Sequence, residues 1–149
     1  MFGNRSDVDT AAPILADLRA NSIRLGDPNV LAAVHVFVAE IEAKRGLTIS
    51  ARTHTGIAVN LLAPESNLWL EAWAENINVA IALMSSDYAS GVAHGQRAVA
   101  LAEQAGVAVT LRACLANYGN LLCLGGHFEE AIGAARTSCG DFAFLWRQC

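Results

Sequence analysis

The chain has 149 residues, of which 54% are hydrophobic and only 16% charged, so it can bury one core and is not a disordered segment. The formal net charge is −4, with one lysine and no cluster of arginines, which argues against nucleic acid as a direct partner. The longest unbroken apolar run, 79–84, is far shorter than the roughly 18 to 20 residues that a membrane span needs.

The first predicted elements are two helices separated by a glycine. A helix is expected from about Ala11 to Arg24, and Gly26 ends it. Asp27 followed by Pro28 is typical of a helix start, because aspartate caps free N–H groups and proline is preorganised for the first turn. Apolar residues at helical spacing then continue this second helix over 30–42.

The third and fourth helices are separated by a proline-containing segment. Gly46 ends the second helix, and the third is expected to begin near Thr48 or Ser50 and to stop at 63–66. Asn67 opens the fourth helix. Its apolar stripe consists of Leu70, Trp73, Ile77, Ile81 and Met84.

Three further helices follow. Ser85 to Asp87 break the fourth helix, and Tyr88 to Gln104 form the fifth, which Gly106 ends. The sixth is expected over 108–124, and the pair Gly125 and Gly126 turns it into a seventh that begins at Phe128. Because Val and Ile do not alternate with polar residues over any long stretch, the prediction is an all-α chain of about seven helices.

The turns recur at an offset of 40 residues. One set of equivalent turn residues is Gly46, Ser86 and Gly126, and the other is Gly26, Ser66 and Gly106. Small residues recur on the second helix of each hairpin: Ala51, Gly91 and Ala131, then Thr55, Gly95 and Ala135, then Ala58, Ala98 and Ser138. Chance matching in an alanine-rich chain is the alternative. If the repeat is real, these stripes let neighbouring helices approach closely.

The period divides the chain into one domain with four parts. An N-terminal helix over 1–26 precedes repeats at 27–66, 67–106 and 107–146. The last repeat is expected to be irregular, because Cys139, Gly140 and Asp141 interrupt its second helix. The apolar residues that follow are predicted to fold back over the last hairpin or to be covered by another chain.

The third repeat resembles the tetratricopeptide repeat family. The residues that carry the resemblance are Leu115, Tyr118, Gly119, Leu122, Gly126, Phe128, Ala131 and Ala135. The match is good over 108–138, moderate over 68–105 and weak over 28–62. A period of 40 departs from the family's usual length of about 34, so the chain resembles a long-helix variant such as those in bacterial regulatory proteins; HEAT-like packing is the other interpretation.

The resemblance implies a right-handed α-solenoid of antiparallel helical hairpins, whose first helices line a concave groove that binds a peptide or protein surface. The groove residues that it implies are Glu40, Trp73, Asn76, Ala113, Asn117 and Asn120. Asn76 and Asn117 would be equivalent, and their amides could hold a peptide backbone; as an alternative they are ordinary exposed or capping residues. The groove lacks the basic residues that clamp a terminal carboxylate, which disfavours a chaperone-tail adaptor.

Nothing in the pattern indicates an enzyme. The four histidines lie on different helices or turns, none next to a nucleophile motif, and the phosphate-loop spacing is absent. The four cysteines show no zinc-like spacing and are interpreted as reduced and structural. We therefore expect no catalytic residue, no metal and no cofactor.

The sequence predicts a protein-interaction scaffold of a regulatory or signalling kind. The N-terminus has no apolar core of a signal peptide, so the cytoplasm is the expected location. The alternatives are a structural solenoid that forms a homodimer through Phe142, Phe144 and Trp146, or a piece of a larger multidomain regulator.

Overall fold

The computed structural model describes the backbone of residues 5–62 and 67–146, and the side chains of 13–62 and 67–137. Within these ranges all regular structure is α-helical, which confirms the predicted class and the seven helices. The helices are α1 (Arg5–Leu25), α2 (Pro28–Lys44), α3 (Thr48–Leu61), α4 (Leu68–Ser85), α5 (Tyr88–Ala105), α6 (Ala108–Leu124) and α7 (Phe128–Trp146).

Three helices begin at predicted capping residues, whereas α3 and α6 begin without a side-chain cap. The Asp27 carboxylate accepts hydrogen bonds from the backbone N–H groups of Asn29 and Val30 before α2. Asn67 and Asp87 cap α4 and α5 in the same way. Each side chain satisfies an N–H group that has no partner inside its helix, which stabilises the start by about 1 kcal/mol.

Helix ends confirm the period of 40 residues in the turns. Gly46, Ser86 and Gly126 have φ angles of 80°, 56° and 85°, and Gly26 and Gly106 both have 68°. The sixth turn residue, Ser66, lies outside the described residues. Left-handed backbone at equivalent positions turns each helix back on the next, and Ser86 adopts it despite its side chain.

Packing is confined to near neighbours along the chain. Each helix packs on those that precede and follow it, and in addition α2 packs on α4 and α4 on α6. In the described backbone, no helix packs on one more than two positions away. Successive hairpins therefore bury their apolar faces against the next hairpin.

Two of the three predicted small-residue stripes, those of α3 and α5, lie in helix interfaces, whereas Ala135 of the third is exposed. The buried members are Ala51, Thr55 and Ala58 of α3 and Gly91, Gly95 and Ala98 of α5. A Cβ atom at Gly91 would meet Leu121 and Ala82, and one at Gly95 would meet the ring of Tyr118. Helix α6 therefore packs against α5 at a distance that only glycine allows at these two positions.

Helix α7 differs from its prediction. Its backbone is helical without a break from Phe128 to Trp146, so the interruption expected at Cys139, Gly140 and Asp141 is wrong. One glycine inside a helix costs only about 1 kcal/mol relative to alanine and does not by itself end a helix. The side chains of Phe142, Phe144 and Trp146 lie outside the described side chains.

Candidate functional site

The first helices of the three hairpins are α2, α4 and α6, and α4 packs on both of the others. Each of the three carries partly or fully exposed residues at helical spacing, which form a candidate surface. We call it the even-helix surface, and it consists of Ala33, Glu40, Lys44, Trp73, Ala80, Met84, Ala113, Ala116, Asn120 and Cys123. Four of the six predicted groove residues belong to it, and Asn76 and Asn117 lie at its α4–α6 border.

The α2–α4 side of this surface is organised around Glu40. One carboxylate oxygen accepts a hydrogen bond from the Lys44 ammonium at 2.7 Å, and the other accepts from the Trp73 indole N–H at 3.1 Å. The charges of Glu40 and Lys44 therefore compensate one another.

The two predicted asparagines contact each other at the α4–α6 border. Asn117 donates a side-chain N–H to the side-chain oxygen of Asn76 at 3.0 Å. Asn76 is buried, at 5% exposure, whereas Asn117 is partly exposed. The two side chains therefore join α4 to α6, and Asn117 is the member of the pair that reaches the surface.

A second hydrogen bond between α4 and α6, which the sequence analysis did not predict, joins residues with the same separation along the chain. The indole N–H of Trp69 donates to the hydroxyl of Thr110 at 2.8 Å. Both this pair and Asn76 with Asn117 are 41 residues apart, so α4 and α6 pack in register. The signal available in the sequence was this common separation, which is one residue longer than the period of the turns. Trp69 is consequently bonded to the neighbouring helix.

The two helices of a hairpin are also joined by polar side chains, which we call hairpin locks. In the α4–α5 lock, the buried carboxylate of Glu75 lies 2.6 Å from Nδ1 of His94 and 3.1 Å from Nε of Arg97. In the α2–α3 lock, Nδ1 of His35 lies 2.7 Å from Nδ1 of His54. Both histidine contacts span 19 residues.

The locks occupy equivalent positions of the repeat, since His35 and Glu75 are 40 residues apart, as are His54 and His94. Sequence reasoning treated each histidine as an isolated side chain and missed both locks. The common separation within each pair, together with the period, was the signal that could have found them.

Burial changes the ionisation of two groups. It lowers the pKa of His35, and the neighbouring His54 and Arg19 lower it further, because each disfavours a positive charge on that ring. Burial raises the pKa of the Cys114 thiol to about 11, which keeps it neutral and unreactive. Cys114 and the exposed Cys123 are both free thiols.

Across the described parts of the chain, no three His, Cys, Asp or Glu side chains converge as metal ligands. No helix within those ranges combines the length and apolar character needed to cross a bilayer. Comparison of the chain with protein-family models, curated proteins and solved structures found no match.

Proposed function

We propose that this chain is a protein-interaction module, built as a right-handed α-solenoid of helical hairpins. The even-helix surface is its concave groove, and it binds a segment of a partner protein. The observation that carries the proposal is the packing of α2 on α4 and of α4 on α6, which makes three first helices one continuous surface. The resemblance to tetratricopeptide repeats supports the same assignment.

The chemistry of the surface favours a partly apolar segment as the partner. Glu40 and Lys44 compensate each other's charge on its α2–α4 side, so these two residues would contribute little charge steering to association. Trp73 and Met84 offer apolar area, while Ala80 and Ala116 leave room for a backbone to approach. Asn117 and Asn120 supply amide groups that can donate to and accept from a peptide backbone.

The role that we propose is regulatory and involves no catalysis by this chain. The cytoplasm is its proposed location, because a reducing compartment would keep the free thiols Cys114 and Cys123 unpaired. Binding of a partner segment would then be the whole of its biochemical activity.

Ala116→Arg is expected to weaken partner binding by about tenfold or more, which corresponds to a loss of at least ~1.4 kcal/mol of binding free energy. The arginine would place a long charged side chain where the proposed groove has a methyl group. The measurement is quantitative affinity capture with the folded protein, followed by calorimetry with the partner identified. Ala100→Arg, on the exposed side of α5, is the matched control and should bind as the wild type does. Equal binding by both variants would exclude this surface.

Self-association is the second candidate function, and helix α7 favours it. In the described backbone, helix α7 packs on α6 alone, and Phe128 and Ile132, one turn apart, are 61% and 49% exposed. The predicted dimer residues Phe142, Phe144 and Trp146 belong to the same helix. An apolar face of this kind is typical of an interface between proteins.

Light scattering tests this alternative. If α7 forms a homodimer, the mass should rise toward twice the monomer value with concentration, and Phe128→Ser with Ile132→Ser should return it to the monomer. Val109→Ser, at an exposed apolar residue of α6, is the control and should leave the dimer intact. A monomeric wild type at all concentrations would contradict self-association.

A further inference from the structure

Protonation of the histidines strengthens the contact in the α4–α5 lock and weakens the contact in the α2–α3 lock. When His94 is protonated, its contact with the Glu75 carboxylate becomes an ion pair and is strengthened. In the α2–α3 lock the two Nδ1 atoms can share a hydrogen bond only if one carries a proton and the other does not. If both rings are protonated, two donors and two positive charges face each other at a distance of 2.7 Å.

We propose that the His35–His54 contact makes the α2–α3 hairpin sensitive to acid. When both rings become protonated, α2 and α3 separate, while α4 and α5 stay packed together. The opening displaces α2, which carries Glu40 and Lys44 of the even-helix surface. Acid would thereby change the shape of that surface at one end. The proposal rests on the lock geometry and holds whether or not the surface binds a partner.

The charged groups around the His35–His54 contact explain why it tolerates one added proton but is disrupted by a second. Oε2 of Glu42 is buried, has no hydrogen-bond partner in the described part of the chain and lies 3.8 Å from Nε2 of His54. A single proton added at His54 is therefore compatible with the closed lock, because that ring then donates to His35 and faces a carboxylate. A second proton, on His35, meets the cationic His54 and Arg19 of α1.

The other helices that pack here also carry ionisable residues. Besides His35, His54 and Glu42, those in the described parts of α1, α2, α3 and α4 are Asp17, Arg19, Arg24, Glu40, Lys44, Arg52, Glu71 and Glu75. Glu40 is bonded to Lys44 and Trp73, and Glu75 to His94 and Arg97. Both carboxylates are thus already engaged by other donors.

The direction of the pH effect follows from the lowered pKa of His35. The unfolded chain takes up a proton at this residue near the ordinary histidine value of about 6.5, whereas the folded chain resists it. Acidification through that value therefore favours the open or unfolded form. The stabilisation is complete above about pH 6.5 and is lost as the pH falls toward the lowered value.

Hydrogen exchange read by mass spectrometry, at pH 7.5 and 5.5 with a chelator present, tests the proposal. After correction for the intrinsic exchange rate, amides of α2 and α3 in the wild type should lose several-fold, up to about tenfold, more protection at pH 5.5 than those of α4 and α5, because pH 5.5 is about one unit below the ordinary histidine pKa. His35→Glu copies the glutamate of the other lock and should abolish the difference. His54→Gln, which cannot become charged, should do the same if His35→Glu fails to fold.

Three results would overturn the proposal. The first is an equal loss of protection in both hairpins of the wild type. The second is no loss in either. The third is a wild-type acid response retained in a folded His35→Glu or His54→Gln protein.

Discussion

Gly95→Ala is expected to lower the free energy of unfolding by about 1–3 kcal/mol, although alanine is the better helix former by about 1 kcal/mol. The added Cβ would coincide with the body of the Tyr118 ring, which lies over Gly95 where α6 crosses α5. The ring cannot avoid it by moving its far end alone, so the helices must separate. Urea titration followed by circular dichroism measures the loss.

Two variants distinguish this steric effect from the general effect of a glycine. Gly56 of α3 is exposed and has open space where a Cβ would lie, so Gly56→Ala should raise stability by up to about 1 kcal/mol. In a double-mutant cycle, Tyr118→Ala should cancel much of the cost of Gly95→Ala. Additive effects would show that the two residues do not interact.

Leu121→Ala is expected to destabilise the protein by about 2–5 kcal/mol. Leu121 is 0% exposed and packs in a cluster with Val79 and Ala82 of α4, over the space left by Gly91 of α5. Its removal leaves a cavity at the point where three helices meet. The midpoint of urea unfolding should fall with little change in slope.

The control lies one turn further along the same helix. Leu124 is 64% exposed, so Leu124→Ala should change stability by only about 0.5 kcal/mol or less. Gly91→Ala should be better tolerated in the Leu121→Ala protein than in the wild type, because the contacts of its methyl group with Leu121 are removed and only that with Ala82 stays close. Equal losses from both leucine variants would place the α5–α6 interface elsewhere.

The positions of the helices and turns were determined by local sequence. Asp27, Asn67 and Asp87 cap helices because their side chains reach N–H groups two or three residues away. Gly46 and Gly126 turn the chain because left-handed backbone strains other residues. Both effects act within a few residues, so they can be recognised without knowing the fold.

The sequence also allowed the prediction that α5 approaches a neighbouring helix closely. A repeated stripe of small residues indicated which faces of the second helices come near their neighbours, and Gly91 and Gly95 lie there. The side chains that fill the space, Leu121 and Tyr118, could not be predicted. That choice depends on the crossing angle and on the offset between two helices.

The polar contacts were decided by the tertiary structure. The bonds of Asn76 with Asn117, and of His35 with His54, join residues 41 and 19 positions apart. Whether such groups meet depends on helix rotation and register to within about an ångström, which composition and spacing do not specify. Local sequence therefore determined where each helix lies along the chain, and packing alone decided that Asn76 is buried and that two histidines share a hydrogen bond.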